Sequence, residues 1–175
     1  ICEAAEVKHA DVVVLGWHKP LVGGAMLTGV VHEVMVAARC DVAVLFDRGF
    51  DRIAGILVPF LGTDHDRAAL RMAKRIAENV GARVTVLHVI APNAASGSET
   101  REELEGGAVV FKTVEHATPV EAAIDESRRG YDLVIVGAGR QWGLEHRTFG
   151  PRAETILART AVSLVVVRQG VVQRR

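Results

Sequence analysis

The chain has 175 residues, of which 49% are hydrophobic and 24% charged. This is an ordinary globular composition, with room for one core of roughly 100–150 residues and a further piece. Lysine plus arginine and aspartate plus glutamate number 21 each, so the formal charge is zero and no basic footprint for nucleic acid or lipid headgroups is expected. The longest apolar runs, residues 12–15 and 56–61, fall far short of the ~20 residues that span a bilayer. Cys2 and Cys40 have no metal-ligand spacing and suit a reducing, cytoplasmic setting. The first residue is Ile1, which reads as the start of a fragment of something longer.

Residues 1–10 read as a helix end. Residues 11–15 are a β-branched run ending at Gly16, which predicts a buried parallel strand. A Gly- and Pro-containing loop follows to residue 29. The spacing then predicts a helix over 30–38 and a strand over 42–46. A longer series starts with a strand over 53–60. Thr63 and Asp66 form a predicted capping box for a helix that turns Ala69, Met72, Ala73, Ile76 and Val80 inward and stops at Gly81. A strand over 83–90, a surface loop with a short helix over 91–106 and a strand over 108–114 come next. Thr118-Pro-Val-Glu121 predicts a helix start, with Thr capping, Pro at the first position and Glu reaching back. A strand over 132–136, a loop to residue 150, a helix over 151–159 and a strand over 163–168 complete the series. Strands alternating with helices imply a parallel sheet.

A shift of 121 residues aligns the two ends of the chain without a gap: Asp11 with Asp132, Gly16 with Gly137, Gly29 with Gly150, Glu33 with Glu154, Ala37 with Ala158 and Gly49 with Gly170. Residues 1–49 therefore read as the C-terminal half of a first domain. Residues 51–170 read as a complete second copy, and residues 171–175 as a tail.

The strand Ile56-Leu-Val-Pro59, the run Val86-Leu-His-Val89, the helix start at Thr118 and the run Asp132-Leu-Val-Ile-Val-Gly137 before a Gly-rich loop together resemble the universal stress protein family. The resemblance covers residues 51–170 and, through the repeat, 1–49. It implies an α/β fold: an open five-stranded parallel sheet, order 3-2-1-4-5, with helices on both faces, like the adenine nucleotide alpha hydrolases. It also implies an adenine nucleotide site between the first and fourth strands, where ligands bind in open parallel sheets. The implied candidates on the first and second strands are Pro59, Phe60, Leu61, Gly62, His88 and Val89. Those on the fourth strand and its loop are Val136, Gly137, Arg140, Gly150, Pro151 and Arg152.

The family's nucleotide-binding members carry Gly, two residues, Gly, nine residues, then Gly with Ser or Thr, so that backbone N–H groups and a hydroxyl meet phosphates. Here Gly137 and Gly150 fit, but Arg140 replaces the middle glycine and Pro151 the hydroxyl residue. Leu61 stands where binding members carry Asp. Pro151 also lacks an N–H. The resemblance thus implies a degenerate site. Arg140, Arg147 and Arg152 are read as solvated arginines that retain the chemistry to hold an anion. Trp142 and Phe149 are read as lid or interface aromatics, with stacking on a base as the alternative.

Asp64-His65-Asp66 sits at a helix start, where capping accounts for the acids, so no metal site is expected. His88 is read as packed and Cys40 as a small buried hydrophobe. No serine stands in a nucleophile elbow and no catalytic set assembles, so no enzyme is expected. Tandem organisation, degenerate loops and the phrase Leu15-Gly-Trp-His-Lys-Pro20 with Gly23-Gly24 resemble the cytoplasmic C-terminal region of bacterial cation/proton antiporters. The expected function is a regulatory module attached to a membrane transporter domain. The alternative is a stand-alone stress protein binding ATP, AMP or a cyclic dinucleotide. Self-pairing is expected through strands 42–46 and 163–168, within one chain or between two, with Val44 and Val165 in equivalent places.

Overall fold

A computed structural model describes residues 1–17, 29–92, 108–138 and 150–170. In chain order the elements are α1 (Cys2–Val7), β1 (Val12–Gly16), α2 (Val30–Ala37), β2 (Asp41–Phe46), β3 (Gly55–Phe60), α3 (Asp64–Val80), β4 (Arg83–Ile90), β5 (Val109–Glu115), α4 (Pro119–Ser127), β6 (Leu133–Gly137), α5 (Gly150–Arg159) and β7 (Ser163–Arg168). The predicted short helix within 91–106, the Gly-rich loop after Gly137 and the tail lie largely or wholly outside the described residues.

Seven strands make one sheet in the order β1-β2-β7-β6-β3-β4-β5. Every neighbouring pair is parallel except β2 with β7. Numbered from β3, the strands of residues 51–170 lie in the order 3-2-1-4-5. The near-continuous Val, Ile and Leu of β3, β6 and β7 match burial on both faces. One face packs Ile56, Val58, Val84, Val86 and Ile135 against α3. The other packs Leu57, Leu87, Val134 and Val166 against α2, α4 and α5 through Met35, Ile124 and Ile156.

The helix α3 begins with the predicted capping box: Thr63 Oγ1 accepts the Asp66 N–H, and the Asp66 carboxylate accepts the Thr63 N–H. Ala69, Ala73 and Ala77 form its buried row and let the axis approach the sheet closely. Val80, predicted inward, is exposed, because it ends the helix in the turn that Gly81 reverses at φ 71°. At α4 the helix starts where predicted, with Pro119 in the first turn, but the Thr118 side chain makes no capping bond. Glu121 does not reach back either; it pairs with Arg159 of α5. The stronger cation won the carboxylate.

Three further expectations change. β1 is an edge strand rather than a buried one, and Val14 is 61% exposed. Cys40 is half-buried, because it sits in the turn between α2 and β2. The strand predicted from residue 53 starts at Gly55, because Ala54 and Gly55 donate their N–H groups to the Asp132 carboxylate instead of to a ladder.

The seam between β2 and β7 lies within the chain. Val44 stands opposite Val166, and Leu45 opposite Val165. Residues 44 and 165 are 121 apart, as are 45 and 166, so each pair is the other shifted by 121 residues with its members exchanged. A two-fold contact between like segments has this relation. The arginines flanking the seam repeat the relation in part. Arg168 donates to the Val36 carbonyl and Arg48 to the Leu157 carbonyl, again 121 residues apart. Each guanidinium thereby meets an orphan carbonyl at the end of the opposite helix.

Placing a carboxylate in this dry seam by Val44→Asp is expected to cost on the order of 3 kcal/mol or more. In limited proteolysis the variant should lose residues 1–50 while the strands from β3 onward stay protected. Equal cleavage of both parts would show that the seam does not join two separable units.

Candidate functional site

The chain runs from β3 outward to β4 and β5, then returns to β6 and β7 on the other side of β3. The boundary between β3 and β6 is thus the point where strand order reverses, and its carboxyl end forms a crevice. Among the described residues the β3–β6 ladder pairs Ile56 with Leu133 and Leu57 with Val134, while β3 and β4 pair as far as Phe60 with His88. Beyond Leu57 the strands β3 and β6 separate.

Most of the residues predicted from sequence meet at this end. Pro59 and Phe60 finish β3 and are buried, Leu61 is half-buried, and Gly62 turns the chain at φ 87°. His88 and Val89 sit near the end of β4, half-buried, with the His88 ring 5.9 Å from that of Phe111. The His88 Nδ1 is buried without a hydrogen-bond partner among the described residues. Val136 and Gly137 finish β6. Gly150 and Pro151 open α5, and Arg152 is exposed in its first turn. Arg140, Trp142, Arg147 and Phe149 lie outside the described residues.

The start of α3 packs closely against the end of β6. A Cβ on Gly137 would come within 2.6 Å of the Asp66 N and Oδ1 atoms and of the His65 carbonyl carbon. Gly137 therefore serves the close approach of helix to strand, a constraint that operates without any phosphate. The Asp66 carboxylate accepts the Leu61 and Thr63 N–H groups, both at 3.0 Å. Two backbone donors of the loop after β3 are thus already engaged by an internal anion. Burial pushes the Asp66 carboxyl up from its ordinary range, against hydrogen bonds from Thr63 and Leu61 that pull it down. Its Oδ1 is buried with no partner among the described residues.

Asp66 was legible in the sequence as a cap, but nothing local signalled its hold on Leu61. His65 likewise gave no signal. Its Nδ1 accepts the Gln169 N–H at 3.0 Å, across 104 positions of chain. Asp132 anchors the opposite end of β3 through the Ala54 and Gly55 N–H groups, which hold its carboxyl below the usual range.

No cluster of three metal-ligating side chains occurs among the described residues. No helix among them is long and apolar enough to cross a membrane.

Residues 54–106 match the model of the universal stress protein family. That segment is thus similar to a universal stress protein domain. The chain is similar to cation/H(+) antiporter 17 of Arabidopsis thaliana, 31% identical in an alignment of 147 positions that covers 72% of this chain and 18% of that protein. Two further antiporters of that plant match over 19% and 22% of their lengths. The chain thus spans about a fifth of the length of the curated relatives it matches. Among solved structures, a universal stress protein from Archaeoglobus fulgidus superposes with a TM-score of 0.68 at 18% identity, covering 97% of this chain and 64% of that one. A universal stress protein in complex with cAMP gives 0.55 at 16% identity, covering 67% of this chain and 98% of that one. The universal stress protein fold is therefore the fold of this chain.

Two outcomes test the site's construction. Gly137→Ala should cost about 2 kcal/mol in urea unfolding, since backbone and not a flexible side chain blocks the added methyl. Asp132→Ala should lower the urea midpoint at neutral pH. A depressed carboxyl stabilises fully above its unfolded value of about 3.9 and loses that contribution as pH falls through the folded value, so the difference from the wild type should shrink below about pH 4.

Proposed function

We propose that the chain is a non-catalytic regulatory module, the cytoplasmic tail of a cation/proton antiporter, with a degenerate nucleotide site. One observation carries the second part: the Asp66 carboxylate occupies the Leu61 and Thr63 N–H groups beside the crevice. An entering phosphate would have to displace a carboxylate of the same sign. Leu61, Arg140 and Pro151 in place of Asp, Gly and a hydroxyl residue point the same way. The similarity to plant antiporters over 72% of the chain supports the attachment to a transporter domain.

Residues 1–49 are, on this reading, the second half of a first domain, and residues 51–170 a complete second one. Strands β1 and β6 have bounds 121 residues apart at both ends, in support of the duplication. So does the coverage: a single-domain neighbour matches 67% of this chain with 98% of itself, while a longer one needs only 64% of itself to match 97%. The two-fold seam that could join two separate chains is taken up here within one.

The second reading is a stress protein that binds an adenine nucleotide through altered loops. The cAMP complex of a structural neighbour favours it. Calorimetric titration with ATP, AMP, cAMP and a cyclic dinucleotide, each with Mg²⁺, separates the two. The regulatory reading expects no micromolar ATP or AMP binding. Micromolar ATP binding would overturn the degenerate site, and tight binding of a cyclic nucleotide alone would establish the second reading.

A further inference from the structure

We propose that His65 is a proton-operated latch: neutral, it holds the chain's exit from β7 against the start of α3, and protonated, it releases it. The latch itself does not depend on the antiporter reading, although its use in a transporter would.

Three consecutive residues are gripped as the chain leaves β7, each by a different part of the molecule. Arg168 is buried and donates to the Val36 and Ala38 carbonyls at the end of α2. The Gln169 N–H is held by His65 Nδ1 of α3 at 3.0 Å. The Gly170 N–H is held by Asp41 Oδ1 of β2 at 3.0 Å, and Arg71 of α3 meets the other Asp41 oxygen at 3.2 Å. A Cβ on Gly170 would collide with the Arg39 carbonyl, so this segment is seated tightly against the turn into β2. The grip joins α3, the junction between α2 and β2, and β7.

The middle grip is the titratable one. A neutral imidazole accepts at Nδ1 only when its proton is on Nε2; a protonated one has two donors and no acceptor. Protonation would therefore set N–H against N–H at Gln169. The charged groups around the ring pull both ways. Arg168 of β7 opposes a second positive charge, as does the N-terminal end of α3, where His65 is the second residue. Asp64 and Asp66 of α3 and Asp41 of β2 favour one. Burial is the largest influence and, with Arg168, holds the imidazole below its ordinary range. Such a group contributes its full stability above about pH 6.5, and the contribution falls as pH drops beneath that value.

A built-in comparison comes from the equivalent exit. Arg48 lies 121 residues before Gln169, and its N–H is held by Ser163 Oγ at 2.9 Å. Both exits need an acceptor for this N–H. Only the one after β7 uses an acceptor that protons switch off.

The test follows amide exchange of the ¹⁵N-labelled chain from about pH 7.5 down through the whole of the His65 titration, with intrinsic rates divided out, while the His65 ring shifts report that titration. Gln169 is expected to lose about tenfold in protection, with the midpoint of the His65 titration. Arg48 is expected to stay flat. His65→Gln, whose side-chain oxygen accepts without titrating, should keep Gln169 protected and remove the pH response. The proposal falls if Gln169 stays protected through the His65 titration, if Arg48 opens in step with it, or if the Gln variant keeps the response. Should that variant fail to fold, the contrast between Gln169 and Arg48 in the wild type decides alone.

Discussion

The antiparallel seam between β2 and β7 is the contact on which the rest of the arrangement depends. The described residues before position 50 reach the main body largely across it, because β1 pairs with β2 and α2 packs on β2. Val42, Val44, Leu164 and Val166 are fully buried in and around it, and burying such side chains contributes roughly 1.5–3 kcal/mol each. Among the described strands it is also the one place where neighbours run in opposite directions. A two-fold relation requires that reversal; the facing residues 44, 45, 165 and 166 obey it, and the carbonyls that accept from Arg48 and Arg168 repeat it in part.

At the far side of β7 the start of α3 does two jobs. Locally it is a capped helix terminus, with Thr63 and Asp66 satisfying each other's backbone. In three dimensions it packs against the end of β6. The absence of a side chain at Gly137 admits that close approach, and the Asp66 carboxylate accepts the N–H groups of Leu61 and Thr63. The glycine that resembles part of a nucleotide motif thus has a packing role of its own.

The same first turn carries His65, so the crevice, the β7 exit and the junction with residues 1–49 converge on one helix end. Displacing α3 at any of the three must be felt at the other two, since a short, closely packed turn cannot move in parts. The end of β6, the exit from β7 and the junction with residues 1–49 thus share one helix end.

Much of the fold is legible in the residues alone. The alternation of apolar strands with capped helices marks an α/β sheet. The bounds of β4 and β7 follow from Val-rich runs, and the capping box at Thr63 and the stop at Gly81 are local signals that survive folding unchanged. The repeat of 121 residues needs only alignment. Contacts that join distant positions are not legible in this way. Thr118 and Glu121 have the letters of a capping box, yet Arg159 takes the carboxylate. Val12, Val13 and Val14 look like a buried strand, yet β1 lies at the edge of the sheet. His65 and Gln169 are ordinary polar residues until the sheet brings them to 3.0 Å. The elements themselves are dictated locally, because hydrophobic period and helix caps act over a few residues. Which donors remain free in the crevice, and which proton acceptor guards the β7 exit, is settled only in the folded chain, because both depend on partners that connectivity does not place side by side.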